Sequence, residues 1–295
     1  MTTKNSGLKL AAIHGYRPHM LGLCGPAEAR RQKLLKKFLQ GQVAPSKMPK
    51  VFRQFMGAYA YYRLIAKSNN IGDPFDKRVV EAYWMGNKLL DRVKINDLRE
   101  MIAKDFVGSG LLSKEVAADK IAQIPTGSKP HHSFHVLIIG SVTGSVDFTG
   151  NTKLKDICRV GWGRVLRLVI PAPQLRDKLR RESNIYSSLS VKGGGEGFSS
   201  KPGSRVHRSG GAGKPGMTKQ KVIVEYQPLI GKKNIKLGKP IKKEIYWDKL
   251  IAPKVKKGDW VSFHWNWLVK VLSARELANL KKYTQNTLES LNGQN

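Results

Sequence analysis

The sequence predicts an α+β fold, with a helical N-terminal domain over 1–128 and an OB-like β-barrel over 129–295, closed by a terminal helix. Three observations carry that expectation. Apolar residues recur at helical spacing through the first part. The punctuation of Pro125-Thr-Gly-Ser-Lys-Pro130 then gives way to short strand-like runs. Finally, Ser273-Ala-Arg-Glu276 sets a capping box ahead of Leu277, Leu280, Thr284, Leu288 and Leu291, which share one side of a helix over about 274–292.

Taken in order, His14 to Pro26 reads as a loop on its glycines and prolines. The run 27–40 carries Leu34, Leu35, Phe38 and Leu39 at helical spacing, with Pro26 tolerated at its first turn and Gly41 as a stop. Over 50–67 the stripe Phe52, Phe55, Met56, Tyr59, Tyr62 and Ile65 reads as core rather than as a cofactor box. Asp73 ahead of Pro74 caps a third helix through Trp84, and two more are expected over 95–106 and 113–124. His131 to Ile139 reads as a strand, 140–150 as a turn-rich β segment, and 157–170, 221–226 and 242–246 as further strands.

The turn Gly258-Asp259 leads into an alternating run, with Val261, Phe263, Trp265 and Trp267 on one face and Ser262, His264 and Asn266 on the other. That alternation holds His264 in a fixed direction outside the core. Between the strands, about 187–218 is rich in Gly, Ser and basic residues and has little to bury, so it reads as a mobile insertion.

The chain has 295 residues and a formal net charge of +32, from 53 Lys and Arg against 21 Asp and Glu. Such an excess points to polyanions nearby, either a nucleic acid, an acidic protein or the salt of the cell. Of the basic residues 22 precede Lys129, so the charge is spread over both halves rather than gathered in one patch. Two distant cysteines, Cys24 and Cys158, make no disulfide framework, and a reduced cytoplasm is the expected setting. The run Val136-Leu-Ile-Ile-Gly140 is too short to span a bilayer, so no membrane partner is expected.

Cys158 opens Cys-Arg-Val-Gly-Trp-Gly-Arg, read as a strand whose glycines mark a close approach of backbone. A thiolate and an imidazole together suit a soft or borderline metal, or a thiol activated by a base. Cys158 and His264 are therefore the leading candidates as metal ligands. His131, His132, His135 and Cys24 form a second rank. On a strand His131 and His135 would share a face at roughly 13 Å, too far for one ion, with His132 on the other face. The bland alternative makes Cys158 an inert buried thiol and has His264 bond a carbonyl.

The order Cys-x-x-x-x-Gly-x-Val, β segments, Gly-Asp-Trp-Val-Ser-Phe-His and Leu-Ser-Ala-Arg-Glu-Leu, over about Ile157 to Leu291, resembles the HypC/HupF family. These are small OB-like chaperones in maturation of the [NiFe]-hydrogenase large subunit. The resemblance implies that Cys158 and His264 hold an iron unit in transfer, and that the partner is the hydrogenase large subunit or an assembly factor. Cys158 is internal, whereas the family's cysteine follows the initiator methionine, and Trp162 stands where small residues are usual. The whole chain is also similar to an uncharacterised prokaryotic family, through Leu21–Pro26, Asp73–Asn87, Pro130–His135 and the 258–267 run.

The expected function is thus that of a non-enzymatic accessory factor for metallocentre assembly. A basic nucleic-acid-binding barrel is the first alternative, with Trp162 and Trp260 stacking bases and Lys201, Arg205, Arg208 and Lys214 on the phosphates. A thiol enzyme with Cys158 as nucleophile and His264 as base is the second; no orienting residue or oxyanion motif is apparent for it.

Overall fold

Helix α1, Thr3–Met20, opens a computed structural model that describes residues 3–26, 29–142, 146–148, 150–169 and 220–293. The basic insertion, with Lys201, Arg205, Arg208 and Lys214, lies outside the described residues. The expected loop from His14 is in fact helix as far as Met20, through Gly15 and Pro18. Packing overrides local propensity here: Leu8, Ala12 and His14 are fully buried against the rest of the helical layer.

That layer continues with α2, Ala29–Leu39, then α3, Met48–Phe52, and α4, Met56–Ser68. The sequence shows these last two as one helix; the chain breaks at Arg53–Phe55, and Phe52 and Phe55 both turn inward, their rings 5.7 Å apart. Helix α5, Lys77–Met85, is capped by Asp76, whose carboxylate accepts from the Arg78 N–H, while Asp73 accepts from Phe75 N–H in the preceding turn. Helix α6, Ile95–Met101, runs on through a wider π-type turn to Phe106, and α7 spans Lys114–Ala122 behind the Ser113 cap.

His131–Ile139 is not a strand. It forms a short helix α8, His132–Phe134, continued by a π-type turn over His135–Ile139, with every residue buried. A short apolar run buried on all sides gives no periodicity that separates strand from helix. A small hairpin, β1 Ser141–Val142 and β2 Val146–Asp147, follows. Helix α9, Thr152–Cys158, comes next, so Cys158 ends a helix instead of opening a strand.

Five strands then close a barrel in the order β3-β4-β7-β9-β8: β3 Gly161–Val169, β4 Gln220–Tyr226, β7 Ile241–Trp247, β8 Trp260–His264 and β9 Trp267–Val271. Strands β5, Leu229–Ile230, and β6, Lys236–Leu237, form a separate two-stranded excursion. Each barrel neighbour is antiparallel except β7 with β9, which is parallel. First-second-third-fifth-fourth-first is the Greek-key closure of an OB barrel, as the sequence led us to expect. Gly161 explains its own presence: a Cβ there would meet the Phe263 ring at 2.4 Å across the β3–β8 pair.

The 260s strand is shorter than its alternation suggests. It ends at His264, and a two-residue turn of Trp265 (φ 53°) and Asn266 (φ 60°) reverses it into β9. Two successive left-handed residues make the type I′ hairpin, usually the province of Asn and Gly. Its supposedly polar side is not solvated: Ser262 and His264 are 0% and 2% exposed. That side faces the helical layer, which sequence alternation alone cannot reveal.

The terminal helix α10, Ala274–Asn292, has its capping box in place: Ser273 Oγ accepts from Glu276 N–H, and the Glu276 carboxylate accepts from Ser273 N–H. Its Leu280 and Tyr283 join one apolar core that also takes in Leu8, Phe134, Val160 and Trp162. Ser273→Ala is expected to cost about 1 kcal/mol, read as a lowered midpoint in urea with an unchanged slope.

Candidate metal centre

Three side chains from three elements converge where the helical layer meets the barrel: His132 from α8, Cys158 from the end of α9 and His264 from the end of β8. All three are buried, and one ligand atom from each lies within 4.8 Å of the others. His132 and His264 have ring centroids 5.0 Å apart, nearly perpendicular.

The orientation of His264 follows from a proline. In a helix, the N–H of residue 18 would bond the carbonyl of His14, but Pro18 has no N–H. The His14 carbonyl is therefore spare, and His264 Nδ1 lies 2.9 Å from it. A carbonyl can only accept, so Nδ1 carries the proton and Nε2 presents a lone pair. Nε2 is buried and makes no hydrogen bond of good geometry among the described residues, although the Cys158 carbonyl lies near enough to the ring to pull its pKa up. A ring whose far nitrogen is tied to a carbonyl, with the near one left open, is the arrangement that metal-ligating histidines use. Burial pushes the His264 pKa down to about 4, against the opposing pull of the His14 and Cys158 carbonyls.

His132 has both nitrogens engaged. Nε2 donates to the Cys158 carbonyl at 3.0 Å, and Nδ1 meets the Tyr83 hydroxyl at 3.0 Å. A carbonyl only accepts, so in the neutral ring Nδ1 accepts from the Tyr83 hydroxyl, and His132 can ligate an ion only by giving up one of these two bonds. Burial, together with the neighbouring His264 and His135, drives the His132 pKa well down. Cys158 is 2% exposed, and burial pushes its thiol well up, Cys24 adding to the shift and a Trp265 indole contact opposing it. The left-handed turn anchors this region, since Trp265 N–H donates to the Ile157 carbonyl at 2.9 Å. Trp84 covers the cluster, its ring 4.5 Å from His132 and 5.6 Å from His264.

Beside these groups lies a cavity of ≈ 50 Å³, walled by Cys24, Phe55, Tyr62, Tyr83 and Leu111 as well as by His132, His135, Cys158 and His264. That exceeds the roughly 10–15 Å³ needed for one water. The donor set fits a soft or borderline transition ion. Bonds of about 2.0–2.3 Å put tetrahedral ligand pairs about 3.5 Å apart, so closing the triad takes side-chain shifts of about 1 Å.

The other residues singled out from the sequence sit elsewhere or play lesser parts. His135 lines the cavity, and its Nδ1 lies 3.3 Å from the Tyr61 hydroxyl. His131 caps α8, its Nδ1 accepting from Ser133 N–H, and stands apart beside Tyr283. The strand reading had set His132 and His135 on opposite faces; as i and i+3 on a helix they share one. Trp162 is 4% exposed with the Arg159 guanidinium over its ring, so it offers no face to a base. Trp260 is half-buried under Lys281. Sequence reasoning missed His14, Tyr83 and Trp265. The signal for His14 was its i, i+4 spacing to Pro18, which the loop reading hid.

No described helix is long and apolar enough to cross a membrane. A family model described as a family of unknown function (DUF6390) matches residues 3–176 and 215–295. No curated protein and no solved structure matches the chain.

Proposed function

We propose that this chain, which belongs to the DUF6390 family, binds a soft or borderline transition metal through His132, Cys158 and His264 and acts as a non-enzymatic accessory factor. The observation that carries the reading is the buried lone pair of His264 Nε2, unpartnered beside a thiol and a second imidazole. A buried acceptor left open costs stability, and a metal ion would recover that cost. Iron is the ion implied by the HypC/HupF resemblance, with a hydrogenase large subunit or assembly factor as client. Three protein ligands leave the fourth position to a group that can exchange, which suits an ion that is passed on rather than one that is purely structural.

The thiol-enzyme alternative is disfavoured by electrostatics. An activated nucleophile needs a lowered thiol pKa, and burial moves Cys158 the other way. The nucleic-acid alternative loses the Trp162 stacking face, although the net charge of +32 still calls for polyanions somewhere.

The test is metal analysis of protein expressed with iron supplied and purified without chelators. Wild type is expected to retain metal, while Cys158→Ala and His264→Ala each weaken binding by more than about 100-fold, beyond what outer partners contribute. Retention of wild-type metal by both variants would overturn the reading.

A further inference from the structure

Cys24 is the second thiol of the molecule, and the fold brings it to the same cavity from a different segment of chain, the loop that follows α1. The loop Leu21–Pro26 is pinned at Leu23 and Cys24. Leu23 N–H donates to the Pro18 carbonyl at 2.9 Å, and His19 Nδ1 lies 2.9 Å from the Cys24 carbonyl. Cys24 itself sits just before Gly25, which has φ +79° and on which a Cβ would press the Phe55 ring at 2.7 Å. The loop conformation therefore requires glycine at 25 and turns Cys24 inward.

Part of the Cys24 residue is open to solvent, unlike His132, Cys158 and His264, but its thiol is turned inside, where burial pushes its pKa up to about 12. A lone thiol at a cavity edge would be unremarked. Here the same cavity holds the unpartnered Nε2 of His264 and the Cys158 thiol, whose charged form Cys24 is close enough to disfavour.

Resting on the metal reading, we propose that Cys24 is the fourth ligand of the same centre: from the cavity wall it closes on the ion held by His132, Cys158 and His264 and completes a two-cysteine, two-histidine set. Each thiol that ligates gives its proton to solvent as its metal–sulfur bond forms, and no electron changes hands. The imidazoles bind as neutral rings. Removal of the ion reverses the order, with Cys24 the ligand that a client's thiol can displace.

Cobalt(II) serves as the probe, because X-ray absorption at its edge counts sulfur ligands and thiolate bonds give a charge-transfer band. Wild type is expected to show two sulfurs. Cys24→Ser is expected to show one, with a weaker band and an affinity lowered at least about 10-fold. One sulfur in the wild type, or an unchanged band and affinity in Cys24→Ser, overturns the role of Cys24 and leaves the triad standing. A wild type that binds no cobalt, or a Cys158→Ala protein with the wild-type band, removes both. The sulfur count on the wild type decides the matter even if the variant folds poorly.

Discussion

Asp156→Ala is expected to lower the stability of the protein by about 3–5 kcal/mol in equilibrium chemical denaturation. Asp156 is buried in α9, two residues before Cys158, and is the counter-charge of Arg159, which is 1% exposed. Its Oδ1 accepts from Arg159 Nε at 3.1 Å and from Leu229 N–H at 3.0 Å; its Oδ2 accepts from the Tyr226 hydroxyl at 3.1 Å. Lys243 lies 3.9 Å away. Truncation leaves the guanidinium buried with, among the described residues, the Gln227 carbonyl, bonded at 2.6 Å, and the Trp162 face as its partners. An uncompensated buried charge is among the few single changes that cost so much. The same carboxylate ties α9 to β4 and β5, so it also fixes the height at which Cys158 meets His264. A loss below about 1 kcal/mol would show the pair to be dispensable.

Acid is the second large lever. All six histidines among the described residues are buried: His14, His19, His131, His132, His135 and His264. Burial lowers His14 and His131 to about 3 and His264 to about 4. In the unfolded chain each would titrate near about 6.5. The unfolded state thus binds more protons between those values, and stability falls as pH falls. The contribution is complete above about pH 6.5 and is lost progressively down to the folded values near 3–4. Each such ring adds a slope of about 1.4 kcal/mol per pH unit, and three of them exhaust an ordinary stability of about 5–15 kcal/mol within a few units. Cooperative unfolding is expected between about pH 4 and 5, followed by tryptophan fluorescence. A fold intact at pH 3.5 would contradict it. His131→Asn, which keeps an acceptor at the α8 cap, should flatten the slope by about one ring's share.

Much of this architecture was legible because it obeys local rules. The capping box at Ser273, the turn at Gly258-Asp259 and the short alternating runs of β4 and β7 each state their geometry within a few residues. Cys158 and His264 could be paired only on the chemistry of their side chains and by resemblance, since nothing within either segment specifies that α9 ends beside β8. The misreadings share one cause. His14–Met20 and His131–Ile139 take their structure from burial on all sides, which erases the periodicity that sequence reading depends on. Trp265 was placed one residue too far along a strand because a bulky left-handed residue is a conformation that packing imposes, not one that its identity invites. His132 was read on the wrong element, and so its proximity to Cys158 could not be anticipated.

The bond from His264 to the His14 carbonyl joins residues 250 positions apart. Its consequence is a matter of timing. Chains are made from the N-terminus at about 5–20 residues per second, so α1 exists many seconds before β8 leaves the ribosome. During that interval the His14 carbonyl has no helical donor and no imidazole, and the Cys158 thiol has no neighbour from the barrel's end. Contacts of such long range are the slow ones to form. The centre is therefore sealed by one of the last strands made, and a truncated or half-synthesised chain has no closed pocket in which to trap an ion.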